Sequence, residues 1–327
     1  MWFEQLMGFK EKSPQQVREN ISVEGDLMTS KINKKSFICG KLETPSLAEL
    51  RERVRETGAS TGANSVREIV ADVQNLHENE AHAGSLFQVA SQFNLLEMPE
   101  PYVTPERGVG IYENDRTQGP ACAVAAGAGT IYRNYFVPVN GQIGQTKECQ
   151  IDCLSDLATA LGGAQKPLWE MQNGYALASH EGLVQISNRL NASNENERDE
   201  LRQLLRIGIH WNTQVTLKNA QHQVSQAYCS ALPVAYSNLP KDLWSGFAKL
   251  ILEAAYEATL CAAILNASQT GNNRLFLTWL GGGAFGNKNE WITSAIQRAL
   301  NLYRHANLEI VLVSYGSTNP SAQGLID

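Results

Sequence analysis

Residues 278–291 read TWLGGGAFGNKNEW, and this stretch decides the fold. Gly281, Gly282 and Gly283 run together and are followed by Ala284, Phe285, Gly286 and Asn287. The apolar run Leu275, Phe276, Leu277 precedes them. Apolar periodicity predicts a strand over 274–280, a helix over 289–305 and a second strand over 308–315. A strand, a glycine-rich turn and a helix start together make an anion site. Glycine lets backbone N–H groups crowd a phosphate, and the helix end adds partial positive charge. The spacing is not the dinucleotide fingerprint G-x-G-x-x-G, and no Lys-Ser/Thr pair follows as in a P-loop. Spacing alone equally allows a tight turn packed on a helix.

Bulk properties narrow the classes. The 327 residues are 43% hydrophobic, enough for one large domain with additions. The net charge of −6 gives no basic excess, so nucleic acid is not an expected partner. No run of the sequence reads as the roughly 20 apolar residues of a membrane span. The amino end, MWFEQLMGFKEKS, lacks a basic start, an apolar core and a small-residue cleavage site, so a cytoplasmic location is expected. The cysteines at 39, 122, 149, 153, 229 and 261 are scattered, as reduced thiols are. Cys149 and Cys153 would make half a metal site, but no Cys/His pair of zinc spacing completes it, and no metal or cofactor is expected.

Along the chain, residues 1–30 are polar and weakly patterned and read as a peripheral arm, leaving 31–327 as one domain. SKINKKSFICGKL predicts a strand pair turning at Asn33-Lys34. Ser46 and Glu49 have capping-box spacing before a helix. That helix breaks in GASTGAN, and a second helix is expected from SVREIVADVQNLHEN, with Val66, Ile69, Val73 and Leu76 as its stripe. Pro99, Pro101 and Pro105 stop any helix after SLFQVASQFNLLEM. Thr130 to Val139 reads as a β-rich run. Two short helices, a polar connector NASNENERDE and strands near 207–217 and 224–236 are expected next. A long alanine-rich helix then follows Pro240.

LTWLGGGAFGNKNEWITSAIQRAL followed by LEIVLVSYG resembles the second phosphate loop of macrodomains, most closely the GAFG loop of the poly(ADP-ribose) glycohydrolase branch. The resemblance implies an α/β fold with a mixed sheet sandwiched between helices, and N-terminal and internal additions over 1–80 and about 140–240. It implies that Gly281, Gly282, Gly283, Ala284 and Gly286 supply backbone donors to the diphosphate of ADP-ribose. Phe285 would be a stacking wall and Asn287 a loop anchor. SLFQVASQFNLLEM resembles the segment in which a buried strand leads to an asparagine on the distal ribose, and Asn94 takes that position. The branch's Gly-Gly-Gly and paired glutamates are absent here, because Glu97-Met98-Pro99 intervenes and the glycines arrive only at Gly108 and Gly110. In their place, GVGIYENDRTQGPACA resembles a divergent branch of macrodomain ADP-ribosyl hydrolases that includes secreted bacterial effectors. That branch would place the protein in a host cytosol.

Hydrolysis at C1 of the distal ribose passes through an oxocarbenium-like transition state that a carboxylate can stabilise, or whose attacking water it can orient. The candidates are Asp115, Glu113 and Glu106. Asp115 leads because it lies in the most motif-like string; an Asx turn at Thr117 is its structural alternative. Glu113 also reads as a solvated loop charge, and Glu106, after Pro105, as a turn start. Thr117 and Gln118 are expected at ADP-ribose, with Gln118, Gly119 and Pro120 also shaping the loop. Arg133, on the β-rich run, could pair with a phosphate or with Asp115. His180 reads as a helix-start residue. The expected activity is removal of mono-ADP-ribose from modified protein. A non-catalytic ADP-ribose reader is the alternative, and a nucleotide-sensing structural protein a third reading.

Overall fold

The computed structural model describes residues 1–58, 61–163 and 166–326. Seven strands form the main sheet: β1 (Lys41–Glu43), β2 (Ser65–Val70), β3 (Leu86–Ala90), β4 (Gly208–Gln214), β5 (Gln223–Cys229), β6 (Arg274–Leu277) and β7 (Glu309–Ser314). Their order is β1-β4-β5-β3-β6-β7-β2. The pairs β1/β4 and β4/β5 are antiparallel, and every other neighbouring pair is parallel. β3 and β6 lie in the middle, with Leu86 opposite Leu275 and Phe87 opposite Phe276.

Helices cover both faces. They include α1 (Trp2–Met7), α2 (Leu47–Glu56), α3 (Val73–Glu78), α4 (Gln118–Ala125), α5 (Gly127–Tyr135), α6 (His180–Ala192), α7 (Glu195–Arg202), α8 (Lys241–Thr270) and α9 (Asn289–Leu302). Strand alternation decides which layer each central residue meets. Phe87 stacks on His77 of α3 and on Phe276, with centroids 3.8 and 4.4 Å apart. Gln88 points the other way, and its Nε2 donates to Thr259 Oγ1 of α8 at 3.0 Å. The expected α/β architecture, a mixed sheet between helix layers, is therefore present. By length and composition α8 is apolar enough to cross a membrane, but 89% of its apolar window is buried inside the protein against the sheet and α2, α6 and α9.

Several local expectations change. Residues 65–70 are a strand and not the start of a helix. Val66 and Ile69 are β-branched, and β2 pairs over its whole length with β7. Residues 130–135 are helical, so Arg133 is carried by α5 and not by a strand. Small residues at 121–129 let two short helices pack closely there, and tertiary packing overrides the β propensity of Thr, Ile and Tyr. The polar connector at 191–200 contains α7, started by a capping box between Asn194 and Glu197. The helix from Ser46 ends at Glu56, two residues before the break expected at Gly58, and residues 59 and 60 of GASTGAN lie outside the described residues.

The additions are also more central than the sequence implies. β1 and β2 come from residues 1–80, and β4 and β5 from 140–240, so these segments build the sheet rather than decorate it. The first 30 residues are not a peripheral arm. Phe3, Met7, Val17 and Met28 are fully buried in a second apolar cluster with Tyr112, Ala128 and Ile131. Phe87→Ala should cost about 3–5 kcal/mol, since it empties the stack between α3 and β6. Urea denaturation of the two proteins measures it.

Candidate functional site

A cleft of about 180 Å³ opens at the carboxyl ends of β3 and β6. Ligand sites in such sheets lie beyond the carboxyl ends of parallel strands. Three chain segments far apart in sequence, 90–99, 115–120 and 278–285, form its walls together with Tyr175, Ala231 and Tyr236.

The glycine loop supplies backbone donors selectively. Gly282 N–H is spent on Trp279 O, Gly286 N–H on Gly283 O, and Asn287 N–H on Gly281 O, each at 3.0 Å. The N–H groups of Gly281, Gly283, Ala284 and Phe285 have no partner among the described residues, and these four residues line the cleft. Gly282 and Gly286, expected as donors, therefore shape the loop instead. Gly281 and Gly286 have φ of +74° and +69°, and a Cβ at Gly281 would collide with Ala231. Asn287 anchors the loop: it is buried, and its Nδ2 donates to Leu232 O at 2.9 Å. Phe285 belongs to an aromatic cluster with Tyr175 and Tyr236, at centroid distances of 5.4 and 5.6 Å, and all three face the cleft.

On the opposite wall α4 begins at the cleft with residues Gln118 and Gly119. Gln118 and Gly119 N–H have no partner among the described residues. The Gln118 side chain is committed to the fold: its Oε1 accepts Ala90 N–H at 2.9 Å and its Nε2 donates to Gln88 O at 2.8 Å. This clamp presses the helix onto the end of β3, where a Cβ at Gly119 would overlap Ala90 O. Thr117 is exposed at the rim.

Of the three candidate carboxylates, the structure brings only Asp115 to the cleft. Its Oδ1 accepts Thr117 N–H at 2.9 Å, forming the Asx turn, while Oδ2 makes no hydrogen bond among the described residues. Glu113 instead accepts Trp2 N–H at 2.9 Å, and Glu106 accepts Lys147 N–H at 2.9 Å. Both are exposed and neither lines the cleft. Asn94 is displaced as well. It is fully buried beneath the loop, its Oδ1 accepts Leu96 N–H at 3.1 Å, and its Nδ2 donates to Gln150 at 2.8 Å. It does not line the cleft, and Gly174 packs so closely on it that a Cβ there would meet its Oδ1.

What Asn94 shapes is the turn that presents Glu97. Leu95 takes a φ of +66°, and Gln92 grips Met98 through both its N–H and its C=O, at 2.9 and 3.2 Å. Glu97 lines the cleft at 2% exposure, and neither carboxyl oxygen has a hydrogen-bond partner among the described residues. Arg133 Nη2 is 3.6 Å from Oε2, close enough for attraction but beyond hydrogen-bond reach. The Arg133 guanidinium is itself fully buried, 3.7 Å over the Tyr228 ring, and donates to Leu95 O and Thr130 Oγ1. Burial raises the Glu97 carboxyl more than the Arg133 charge lowers it, and the group is pushed up to about 8. The sequence did carry a signal for it: one acid in the apolar run FNLLEMP. The Arg133 pairing expected with phosphate or Asp115 is replaced by this one.

No family model matches the chain, and no curated protein matches it. Among solved structures it is similar to poly(ADP-ribose) glycohydrolase from Deinococcus radiodurans in complex with ADP-ribose, at 13% identity and a TM-score of 0.45, over 88% of this chain and 91% of that one. Poly(ADP-ribose) glycohydrolase from Thermomonospora curvata gives 12% identity and a TM-score of 0.45, over 94% and 92%. A likeness this slight transfers no chemistry, so what the cleft does rests on its own side chains.

Glu97 makes a testable mark on stability. Its folded pKa lies above the unfolded value of 4.5, so the folded state holds the extra proton between the two values. The stabilisation from this group is complete below the unfolded value and is lost as pH rises through about 8. Thermal unfolding from about pH 5 to about pH 9 should show wild type losing stability relative to Glu97→Gln.

Proposed function

We propose that the protein is an ADP-ribosyl hydrolase that removes mono-ADP-ribose from modified protein. The observation that carries this reading is two unlike carboxyl groups facing one cleft whose other wall is a cradle of free backbone amides. The diphosphate of ADP-ribose would lie against the N–H groups of Gly281, Gly283, Ala284 and Phe285, with Phe285 and its tyrosine neighbours walling the sugar. The distal ribose would then lie toward Glu97 and Asp115.

The two acids divide the chemistry. Glu97, pushed up to about 8, carries a proton at neutral pH and can deliver it to the departing group as the bond to C1 breaks. Asp115, half-exposed, supplies negative charge beside the developing oxocarbenium ion and a base for the attacking water. Cleavage of single ADP-ribosyl groups is favoured over polymer cleavage because the paired glutamates of the polymer-cleaving branch are absent from the sequence. An amide cradle alone would suffice for a reader, which has no use for a desolvated carboxyl in the cleft.

Gly283→Glu tests the cradle. A Cβ there meets nothing within 4 Å, so the fold should tolerate it while a carboxylate enters the anion site. Calorimetry should show ADP-ribose binding lost with the unfolding temperature kept. Unchanged affinity would reduce the loop to a turn. Glu97→Gln and Asp115→Asn test the chemistry. Each should lower release of ADP-ribose from an ADP-ribosylated protein by roughly 10²–10⁴-fold, with binding largely retained. Tight binding by wild type without any release would leave a reader.

A further inference from the structure

Glu11 lies in the linker after α1, away from the cleft. Its Oε1 accepts Val109 N–H at 3.0 Å and the Tyr135 hydroxyl at 2.6 Å, and its Oε2 accepts Gly110 N–H at 2.7 Å. The carboxylate therefore sits in a nest of consecutive backbone amides. Gly108 and Gly110 make room for it. A Cβ at Gly108 would stand 2.6 Å from Glu11 Cδ, and one at Gly110 would stand 2.7 Å from Oε2. This accounts for two glycines that the cleft itself does not use.

The nest opens a short 3-10 turn, Gly110–Asn114, and that turn bonds the backbone of both cleft acids. Tyr112 is buried inside it, and its hydroxyl accepts Glu97 N–H at 3.1 Å. Asp115 caps its end, with Asp115 N–H on Tyr112 O at 3.2 Å. α1 holds the same turn from the other side, through Trp2 Nε1 on Val109 O at 3.3 Å. Glu97 and Asp115 come from different loops, and Tyr112 hydrogen-bonds to the backbone of both.

We infer that Glu11 is a positioning residue for the reaction: by filling the turn at residues 108–110 it sets the spacing of Glu97 and Asp115. The inference rests on the reading of those two groups as the acid and base. It assigns the N-terminal segment a catalytic consequence without any contact to substrate.

The test is Glu11→Gln in the full chain. The change keeps the side chain's size and turns an amide NH₂ against the backbone donors it formerly accepted. ADP-ribose affinity should stay within about threefold while turnover falls about 10- to 100-fold, the effect of misplacing reacting groups by about an ångström. Hydrogen exchange should quicken at residues 97 and 109–117 and stay unchanged in β6 and residues 278–287. Tyr112→Phe, which removes only the hydroxyl on Glu97 N–H, should show the same split. Should Glu11→Gln fail to fold, Tyr135→Phe removes one of the three bonds and should give a milder form of the split. Equal losses of affinity and turnover, or exchange quickened through the whole chain, would make Glu11 a general stability residue and overturn the inference. Unchanged turnover in the folded variant overturns it as well. If wild type shows no turnover, the hydrolase reading fails by itself, and the exchange pattern at 97 and 109–117 still decides whether Glu11 holds the turn.

Discussion

A carboxyl group with neither oxygen hydrogen-bonded is expensive to bury, and Glu97 is such a group. It is tolerated because the group can take up a proton, and because the Arg133 charge stands 3.6 Å away and offsets part of the cost of the ionised form. Arg133 in turn is fixed by bonds to Leu95 and Thr130 and by the Tyr228 ring, so it cannot swing in to complete the pair. Much of the cleft's architecture follows from keeping this acid in place. The left-handed Leu95, the Gln92 grip on Met98, the buried Asn94 and the Tyr112 hydroxyl all act on the one short loop that bears it. Strain and buried polar cost of this kind persist where the surroundings over-determine them.

The glycine loop shows a complementary economy. A loop of this length must account for every backbone donor. Here three amides close the loop on itself through Trp279, Gly281 and Gly283 carbonyls, and Asn287 ties it to Leu232. The donors left over are those facing the cleft. Glycine is required at 281 and 286 for backbone shape and close approach, whereas at 283 it leaves open space in front of a free amide. One run of glycines thus does two separate jobs, which no reading of spacing alone could divide.

That division marks how far the sequence could be read. The strand-loop-helix-strand unit at 274–314 was legible because its apolar periods are long and its glycines punctuate them. The capping box at Ser46 and the α8 helix were legible for similar reasons. The strand at 65–70 was missed because Val66, Ile69, Val73 and Leu76 fit a helical stripe as well as they fit a strand followed by a short helix. The helix bearing Arg133 was missed because its β-prone residues are buried on all sides and packing decides their state. In the site, Asp115 was readable from a motif-like string. Glu97 was passed over because its role depends on desolvation, which is a property of what folds over it: Tyr112, Arg133 and Tyr228, all remote in sequence. Asn94 was misplaced by alignment to a pattern; three residues further along, the chain turns and presents Glu97 in its stead.

The cleft also lacks something that an anion site usually has. Among its described lining residues there is no lysine, arginine or histidine, although the loop and the start of α4 both offer amides. Positive potential therefore comes from fixed dipoles at residues 281–285 and at the start of α4, and Glu97 and Asp115 lie on the α4 side of the cleft. On the hydrolase reading proposed above, the diphosphate of ADP-ribose would be drawn to residues 281–285 and the distal ribose would face Glu97 and Asp115. A lysine placed among the amides would strengthen anion binding, but it would also add a through-space attraction for the Glu97 carboxylate and draw the acid down toward ordinary values. Binding by backbone dipoles keeps the anion site and the proton donor electrostatically separate. Both can then occupy a single cleft and still perform unlike tasks.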